Sequence, residues 1–370
     1  MKVLHILDSL NRGGKEILTL DLCRNAKANG LDLTFVSTGS GELEEDLRNS
    51  GVEFIRLQRK LPIDPFIIIK LRSIIKSKKI DVIHAHQAVE GLHAYLATRG
   101  LKTKVILSYH GYIPQAKKDN KVLEFLAPRV GANIAVSKGF IERLRKQSGI
   151  KNLDEFHIIY NGIDVKKLSE NINHRKSIKK ELELPDNVFL AGMVGNFQSW
   201  KDQFTICKAI PKILKMYPNF HFVFVGGKVN KTTEYYDNCY KFCKEKHLLT
   251  NVHFLGKRSD IPSILRELDL FVFSTIEDTF GIAVVEAMLM GVPTISSDIL
   301  PLLEVTSNGK YGMLFKTKNE NDLANKVISL VNDSYKLNEL AVKGKSYAIK
   351  SFSIEKYIEE LKSIYQSLLF

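Results

Sequence analysis

Three of the acidic side chains in residues 274–298 have a spacing that could bind the hydroxyl groups of sugars. Glu277 and Asp278 begin a loop directly after a predicted strand, and Glu286 lies about one turn inside the helix that follows. Carboxylate oxygens accept hydrogen bonds, so Glu286 could hold two neighbouring hydroxyls of a ribose while the loop acids hold a second sugar. The plainer interpretation is a pair of helix-capping acids and an exposed glutamate, which are common in any strand–helix unit.

The helix that carries Glu286 begins at a glycine, and the N-terminus of a helix can bind an anion. Gly281 and Ile282 stand at its first turn, directly after Phe280. Backbone N–H groups in the first turn have no partner inside the helix, and the helix dipole adds partial positive charge there. We therefore expect the N–H groups of Gly281 and Ile282 to be able to hold a phosphate.

Two other strand ends carry groups that suit a diphosphate. Gly13 and Gly14 follow the first predicted strand, where glycine lets the backbone approach a ligand at the start of a helix. Lys201 follows the strand that ends at Gly195, and a cation at that end of a strand suits a diphosphate. A tight turn and a surface lysine are the alternatives. Because G-x-G-x-x-G is absent from the first turn, a nicotinamide-dependent enzyme is disfavoured.

The elements that must position these residues follow a regular pattern. Strand-length apolar runs alternate with helical patterns along the chain, which predicts an α/β fold with parallel sheets and helices on both faces. The pattern lapses in the polar segment 165–187, which we interpret as a linker. The sequence thus predicts a domain at 1–164 and another at 188–351. Ligands of such sheets bind at the carboxyl ends of the strands or between domains.

The composition describes a soluble globular protein with an excess of positive charge. The 370 residues are 44% hydrophobic and 26% charged, with a net charge of +13 and a pI near 9.3. No apolar run approaches the roughly 20 residues of a membrane-spanning helix, and we expect no signal peptide. Four cysteines without a short paired pattern predict a reducing, cytoplasmic location. The charge favours anionic partners, and we recognise no nucleic-acid-binding module.

The densest basic stretch lies between Arg56 and Lys79. Apolar residues recur there at helical spacing, with basic residues between them, and the basic residues include Lys70, Arg72, Lys76 and Lys78. The favoured interpretation is a surface helix that packs on a sheet and exposes a basic face. The alternative is a helix near anionic lipid headgroups, which would make the protein peripheral to the inner face of the plasma membrane.

The order and spacing of many motifs resemble those of the retaining glycosyltransferases of family 4, also called glycosyl transferases group 1, which have the GT-B fold. The resemblance covers nearly the whole chain and includes GGKE, DVIHAH, SYHGY, AVS, NGID, VGNFQSWKD, NVHFLGKRSDI, EDTFGIAVVEAM and NGKYGMLF. It implies two doubly wound Rossmann-like domains that face each other across a cleft, with a C-terminal helix of about 352–370 packing back on the first. It also implies transfer of a sugar from a nucleotide-sugar, first of all a UDP-sugar, to a glycan or lipid-linked acceptor in cell-surface polysaccharide biosynthesis. Neither a metal nor another cofactor is implied.

The resemblance also assigns roles to single residues. Asp278 and Glu286 match the two acids of the family's E-x7-E pair, with Asp in place of the first Glu, and Glu286 would hold the donor ribose. Lys201 resembles the cation that binds the diphosphate, and His110 resembles the histidine that reaches the transferred sugar. Asn196 stands where the family often has an arginine. The residues that the resemblance places at the donor are Gly13, Gly14, Asn196, Lys257, Arg258, Thr279, Phe280, Gly281, Ile282 and Glu286, and those at the reacting sugar are Lys201, Asp278 and His110.

Several alternatives stay open at this point. His84 and His86 could be strand-end residues that face the acceptor, and we disfavour a metal site there because a third ligand is not evident. A nucleotide-sugar 2-epimerase shares the expected two-domain architecture. A non-catalytic protein that binds polyanions or a lipid surface would account for the basic charge alone.

Overall fold

The computed structural model describes residues 1–111, 117–170, 177–185, 187–228 and 233–369. They form two compact units, of which the first comprises Met1–Asp164 with Phe352–Phe370 and the second comprises Val165–Ser351. The segment 165–187, which we expected to be a linker, therefore belongs to the second unit. Its described part contains two short helices.

The first unit is built on one sheet with helices between its strands. The strands are β1 (Lys2–Leu7), β2 (Asp32–Ser37), β3 (Glu53–Arg56), β4 (Val82–Ala85), β5 (Lys104–Tyr109), β6 (Ala132–Ala135) and β7 (His157–Ile158). The helices between them are α1 (Gly14–Ala26), α2 (Glu44–Arg48), α3 (Pro65–Lys78), α4 (Ala88–Thr98), α5 (Lys117–Leu126) and α6 (Lys138–Gln147). Every residue of β4 is buried, as expected for a parallel strand that is covered on both faces.

The second unit has the same kind of alternation. Its strands are β8 (Phe189–Val194), β9 (Phe220–Val225), β10 (Val252–Phe254), β11 (Leu270–Phe273), β12 (Thr294–Ser297) and β13 (Met313–Phe315). Its helices are α7 (Val165–Glu170), α8 (Ile178–Glu181), α9 (Gln203–Met216), α10 (Thr233–Glu245), α11 (Ile261–Glu267), α12 (Ile282–Leu289), α13 (Leu300–Val305), α14 (Glu320–Val331) and α15 (Ser334–Phe352). The chain then returns to the first unit through α16 (Ile354–Ser367).

Both sheets are parallel and doubly wound. The strand order is β3-β2-β1-β4-β5-β6-β7 in the first unit and β10-β9-β8-β11-β12-β13 in the second. The winding direction therefore reverses between β1 and β4 in one sheet and between β8 and β11 in the other. Ligands of open α/β sheets bind outside the carboxyl ends of the strands at such reversal points. These two places are where the site residues should be sought.

The C-terminal helix α16 completes the core of the first unit. Ser353 caps α16 by accepting a hydrogen bond from the backbone N–H of Lys356. The apolar face of α16 joins the core that surrounds β1, through Ile354, Tyr357, Ile358, Leu361, Ile364 and Tyr365. A Cβ atom on Gly162 would lie 2.5 Å from the Cβ of Tyr357, so the glycine lets the chain approach α16 closely. Burial of this face places the side chain of Tyr365 beside β1.

None of the helices formed by the described residues combines the length and the apolar character that crossing a bilayer requires.

Candidate active site

The carboxyl ends of β8 and β11 bring Lys201 and Asp278 together. Lys201 ends a short 3-10 helix, Ser199–Lys201, that follows β8, and Asp278 lies in the loop after β11. The ammonium of Lys201 donates a hydrogen bond to Asp278 Oδ2 at 2.6 Å, which makes the two residues an ion pair. The sequence analysis gave them separate roles at the donor, and the structure shows that they also contact each other.

Asp278 is held in its ionised form by several partners. Its second oxygen accepts hydrogen bonds from the backbone N–H groups of Thr279, at 2.7 Å, and Phe280, at 3.2 Å. Burial raises the pKa of this carboxyl, but Lys201 and the two N–H groups outweigh burial, so the pKa is lowered overall. Asp278 therefore carries its charge at neutral pH and fixes the start of the loop.

Backbone contacts join the same two loops. The N–H of Ile276 donates to the carbonyl oxygen of Trp200 at 2.8 Å, and the hydroxyl of Thr275 donates to that oxygen at 2.7 Å. The ammonium of Lys201 also lies 4.8 Å from the ring centre of Phe273. Lys201 is thus positioned by its surroundings before a ligand binds, which is the condition for effective electrostatic stabilisation of charge.

The N-terminus of α12 lies in the same loop segment as Asp278. Gly281 precedes the helix with a φ of +100°, and a Cβ there would lie 2.5 Å from Leu302 Cδ2, so both conformation and space require glycine. No side chain caps α12 at Gly281, so the N–H of Ile282 can bind an anion, whereas the N–H of Val284 already donates to the carbonyl oxygen of Gly281. Glu286 lies further along α12, where it is half-buried and already interacts within the protein.

Asn196 and Lys257 lie in the loops that follow β8 and β10. Asn196 Oδ1 accepts a hydrogen bond from the N–H of Gly227 at 3.1 Å, which links the loops after β8 and β9. Lys257 is exposed, and its aliphatic stem lies close to Gly227, where a Cβ would approach it within 2.7 Å. No contact with Lys201 or Asp278 is recorded for either side chain within the described residues, so their predicted contacts with the donor stay predictions.

Arg258 has structural partners within the second unit. Its guanidinium donates to both oxygens of Glu181, at 2.6 and 2.9 Å, and to both oxygens of Asp260, at 2.9 and 2.7 Å. Hydrogen bonds to Asp260 and Glu181 raise the pKa of Arg258 further. The residue thus ties α8 to the loop before α11. Its predicted contribution to the donor diphosphate stays a prediction.

The glycine turn after β1 belongs to the first unit. Gly13 precedes α1 with extended backbone, and Gly14 is the first residue of the helix. Lys15 follows them and forms ion pairs with Asp8, at 3.0 Å, and Glu16, at 3.2 Å. Sequence reasoning missed Lys15 as a cation at this turn, although its position directly after the glycines was a signal that could have identified it.

His110 lines a small cavity at the carboxyl ends of the strands of the first sheet. This cavity, which we call the histidine pocket, has a volume of about 240 Å³. Its polar lining comprises Lys15, His86, Gln87, Ser108, Tyr109, His110 and Asn120. A concave site with several convergent polar groups suits a sugar. The motif SYHGY, which led to His110, continues into residue 112, which lies outside the described residues.

The interpretation of His84 as a strand-end residue that faces the acceptor is wrong. His84 is fully buried in the sheet, where it contacts Ser108 and Tyr365, while His86 does line the histidine pocket. The ring nitrogens of His5, His84 and His86 lie close enough to suggest a metal site. Each of those six nitrogens, however, already has a hydrogen-bond partner in the protein. These residues therefore form a hydrogen-bonded cluster.

A second cavity of the first unit, of about 430 Å³, was not anticipated from the sequence. We call it the Arg59 pocket, and its charged and amide-bearing lining comprises Asp8, Arg59, Lys60, Gln87 and Glu90. Glu90 is 1% exposed, accepts a hydrogen bond from Thr38 at 2.8 Å and lies 3.3 Å from Arg59 Nη1. Burial raises the pKa of Glu90, and Arg59 and Thr38 oppose that shift. Thr38 and Glu90 are 52 positions apart in the chain, so this cluster could not be predicted from the sequence.

Comparisons with known proteins identify the family. Residues 174–351 match the family described as Glycosyl transferases group 1, and residues 12–167 match Glycosyltransferase Family 4. The chain is 26% identical to the UDP-Gal:alpha-D-GlcNAc-diphosphoundecaprenol alpha-1,3-galactosyltransferase of Escherichia coli, over 90% of this chain and 88% of the relative. It is 28% identical to the capsular polysaccharide biosynthesis glycosyltransferase CapH of Staphylococcus aureus, over 82% and 83% of the two chains.

Solved structures agree with this result at the level of the fold. HepE of Anabaena, crystallised in complex with UDP, has a TM-score of 0.85 at 20% identity, over 99% of this chain and 100% of that chain. The likeness shows the GT-B architecture that the sequence motifs implied. Its relatives include glycosyltransferases of capsule, lipopolysaccharide and O-antigen biosynthesis. The chain therefore belongs to the group 1 glycosyltransferases, enzymes that move a sugar from a nucleotide-sugar to an acceptor.

Proposed function

We propose that the protein transfers a hexose from a UDP-sugar to a lipid-linked saccharide, with retention of anomeric configuration and without a metal ion. The observation that carries this proposal is the ion pair of Lys201 and Asp278 beside the uncapped N-terminus of α12. A diphosphate leaving group requires a fixed cation and backbone N–H donors, which the neighbouring loops after β8 and β11 supply.

Departure of a nucleoside diphosphate builds negative charge on its phosphate oxygens. In the proposed reaction Lys201 and the N–H groups at Gly281 and Ile282 stabilise that charge. No Asp-x-Asp pair that could hold a divalent cation occurs in the sequence, and these protein groups could carry out that task themselves. The bond from the anomeric carbon to the phosphate oxygen breaks, and the acceptor hydroxyl forms the new glycosidic bond. Its proton passes to the leaving phosphate.

Two further residues orient the donor in this proposal. Glu286 accepts hydrogen bonds from the two ribose hydroxyls, because a carboxylate has enough lone pairs for both. His110 binds a hydroxyl of the transferred sugar from the histidine pocket, whose lining is polar. Both residues act by holding the donor in one orientation, which lowers the entropic part of the barrier.

A UDP-sugar and a lipid-linked acceptor are favoured by one of the relatives. The E. coli relative uses UDP-galactose and an undecaprenol-linked acceptor, as its name states. The Arg59 pocket would suit such an acceptor, since Arg59 and Lys60 can bind a diphosphate while Asp8 accepts sugar hydroxyls. Leu61 and Pro62 line the same pocket and could contact the lipid.

The surface next to the Arg59 pocket fits a membrane that holds such an acceptor. Leu61, Ile63, Phe66 and Ile69 are large apolar residues that are at least half exposed. Lys60, Lys70 and Lys76 are exposed on the same segment. Apolar side chains flanked by lysines are typical of surfaces that bind anionic lipid. We call residues 60–76 the basic apolar surface and propose that it docks on the membrane.

Arg72 and Lys78, which the sequence analysis grouped with this surface, have partners in the protein. Arg72 donates to the carbonyl oxygens of Ala97 and Arg99, and Lys78 pairs with Glu53 at 2.6 Å. Any contact with lipid therefore falls mainly on Lys60, Lys70 and Lys76. Variants that test the surface should leave Arg72 and Lys78 unchanged.

The proposal is tested by incubating the purified protein with single UDP-sugars, with and without a polyprenyl-diphosphate-linked N-acetylhexosamine, in the presence of EDTA. We expect a new disaccharide lipid only when both substrates are present, with the anomeric configuration of the donor as read by NMR. Conversion of the UDP-sugar without acceptor would show an epimerase. Transfer that EDTA abolishes and a divalent cation restores would overturn metal independence.

A further inference from the structure

An unbroken row of hydrogen bonds runs through the first sheet and ends at His110. It starts at Ser108, passes His84 and reaches the hydroxyl of Tyr365 on α16. From there it continues through His5 and His86 to His110. The five donor–acceptor distances are 2.6, 2.7, 3.0, 2.9 and 2.8 Å in that order. We call these six residues the histidine chain.

The imidazoles of the histidine chain are neutral. Burial lowers the pKa of His5 to about 3 and that of His110 to about 3, and the positive charge that His110 would carry lowers the pKa of His5 further. Burial likewise lowers the pKa of His84 and His86. A neutral imidazole has one N–H group and one bare nitrogen, so each ring can donate on one side only. The direction of any one bond therefore dictates the direction of its neighbours.

His84, Tyr365, His5 and His86 each have one N–H or O–H hydrogen to donate. Only two arrangements use all four of these hydrogens in hydrogen bonds within the histidine chain. In the first, all bonds point from Ser108 towards His110, and in the second, all point from His110 towards Ser108. The second arrangement makes Ser108 an acceptor, so its own hydroxyl hydrogen needs another partner. Ser108 is 3% exposed, and the part of the chain that the structure describes offers its hydroxyl no partner besides His84. The first arrangement instead leaves Nδ1–H of His110 without a partner among the described residues, but His110 is only partly buried and can donate to water or a ligand in the histidine pocket. Ser108 is buried, and a buried donor without a partner is costly, which favours the first arrangement.

We propose that the histidine chain is directional from Ser108 to His110, with Tyr365 as its central link, and that it holds His110 in the tautomer with hydrogen on Nδ1. In this arrangement Tyr365 accepts from His84 and donates to His5. Each histidine then carries its hydrogen on Nδ1, and His110 accepts from His86 at Nε2.

The consequence for catalysis rests on the proposed function. Among the described residues, no partner is recorded for Nδ1 of His110, so its hydrogen is available to a ligand in the histidine pocket. His110 then donates a hydrogen bond to a hydroxyl oxygen of the transferred sugar. Tyr365 is a positioning residue, because it acts on the sugar only through His5, His86 and His110.

The tautomers are measured directly by long-range ¹H–¹⁵N NMR of protein labelled at histidine, without any substrate. We expect His5, His84, His86 and His110 all to carry hydrogen on Nδ1. Hydrogen on Nε2 of His110 would overturn the proposal. Ring nitrogens bound to a metal ion in the purified protein would overturn it as well.

Two substitutions interrupt the histidine chain at different points. Tyr365→Phe removes the central hydroxyl, and Ser108→Ala removes the first donor, so that neither arrangement retains all of its bonds. We expect both variants to show His110 as a mixture of tautomers. The matched control is Tyr357→Phe, which should leave His110 unchanged. Tyr357 is a buried tyrosine on the same helix whose hydroxyl has no hydrogen bond to any described residue.

Measurements of kcat and KM test whether the tautomer of His110 matters for sugar transfer, separately from whether that tautomer exists. With a UDP-sugar and acceptor, we expect Tyr365→Phe and Ser108→Ala to lower kcat roughly tenfold while KM for the donor changes less than about twofold. Should Tyr365→Phe fail to fold, Ser108→Ala carries the test. A single Nδ1–H tautomer in the wild type with unchanged kcat in both variants would overturn the positioning role. Absence of transfer in every protein would count against the proposed function and leave the NMR result standing.

Discussion

The ammonium of Lys201 and the carboxylate of Asp278 lie 2.6 Å apart, although 77 residues separate them in the chain. The pair joins the loops at the point where the winding of the second sheet reverses. It keeps a lysine in place beside the N-terminus of α12, and it keeps a carboxylate ionised there. A diphosphate that binds Lys201 must therefore do so next to a fixed negative charge.

Neutralising Asp278 should separate binding of the diphosphate from transfer. Asp278→Asn keeps an oxygen for the N–H groups of Thr279 and Phe280 but removes the charge opposite Lys201. We expect the affinity for UDP to stay the same or to rise, because the diphosphate no longer meets a carboxylate. We expect kcat to fall roughly 10- to 100-fold, since the donor sugar loses its ionised partner. Calorimetry and a transfer assay measure the two effects.

The matched control for Asp278→Asn is Asp237→Asn, which breaks an exposed ion pair with Lys228 in the same unit. Exposed pairs contribute little, so this variant should behave as the wild type in both assays. If Asp278→Asn instead binds UDP more weakly and kcat falls in parallel, the prediction is contradicted. Asp278 would then act only by positioning Lys201 for the diphosphate.

We expect the carboxylate of Glu286 to accept hydrogen bonds from the ribose hydroxyls of the donor. We expect the wild type to bind UDP at least about tenfold more tightly than 2′-deoxy-UDP, because the deoxy compound leaves one carboxylate bond unmade. Glu286→Gln should bind the two compounds with similar affinity. Glu277→Gln, which alters the neighbouring acid outside the E-x7-E spacing, should keep the preference. The same preference in Glu286→Gln as in the wild type would assign the ribose to another residue.

The buried histidines should make the protein sensitive to acid. The pKa of His5 and that of His110 are about 3 in the folded protein, against roughly 6.5 in an unfolded chain. The unfolded chain thus binds more protons, and stability falls as pH drops below about 6.5. Between about pH 7 and pH 5.5 we expect each such histidine to remove about 1 kcal/mol from the free energy of unfolding. Urea titrations followed by circular dichroism measure this.

Two substitutions check the origin of that acid sensitivity. His110→Gln should weaken the dependence of the urea midpoint on pH, because one buried neutral imidazole is removed. His157→Gln, at an exposed position in the same unit, should leave the dependence as it is. An unfolding midpoint that stays constant in the wild type between those pH values would contradict the account of neutral, buried histidines.

The basic apolar surface should bind anionic vesicles. Each lysine near an anionic membrane contributes about 1 kcal/mol, so Lys70→Gln with Lys76→Gln should weaken binding to phosphatidylglycerol vesicles roughly tenfold or more. Phe66→Ser with Ile69→Ser should weaken it through loss of apolar burial. Co-sedimentation measures both. The control is Val342→Ser on α15, which is 62% exposed in the second unit. Undiminished binding by both double variants would rule out this surface.

Local patterns predict the elements of this fold well where they coincide with burial. The strand β11 was identified from the apolar run that a parallel strand needs, and Gly281 from the turn into α12. Helix α15 is hard to identify from the sequence, because its charged residues obscure the periodicity of its few buried positions. Strand β7 is limited to His157–Ile158, although the run FHIIY at 156–160 predicts a longer strand.

Contacts between distant parts of the chain could not be predicted from the sequence. The sequence gives no indication of a role for Tyr365, because its partners His5 and His84 are 360 and 281 positions away in the chain. The pairing of Arg258 with Glu181 spans 77 residues and likewise carries no local signal. Such contacts depend on packing of whole elements, so only the structure reveals them.

The most direct test of the central claim is a calorimetric titration of UDP into the wild type and Lys201→Ala, in buffer that contains EDTA. If Lys201 and the N-terminus of α12 bind the donor diphosphate, the wild type binds UDP without a metal and Lys201→Ala binds it at least about tenfold more weakly. The variant should still bind uridine as the wild type does. Equal affinity of both proteins for UDP would contradict the account.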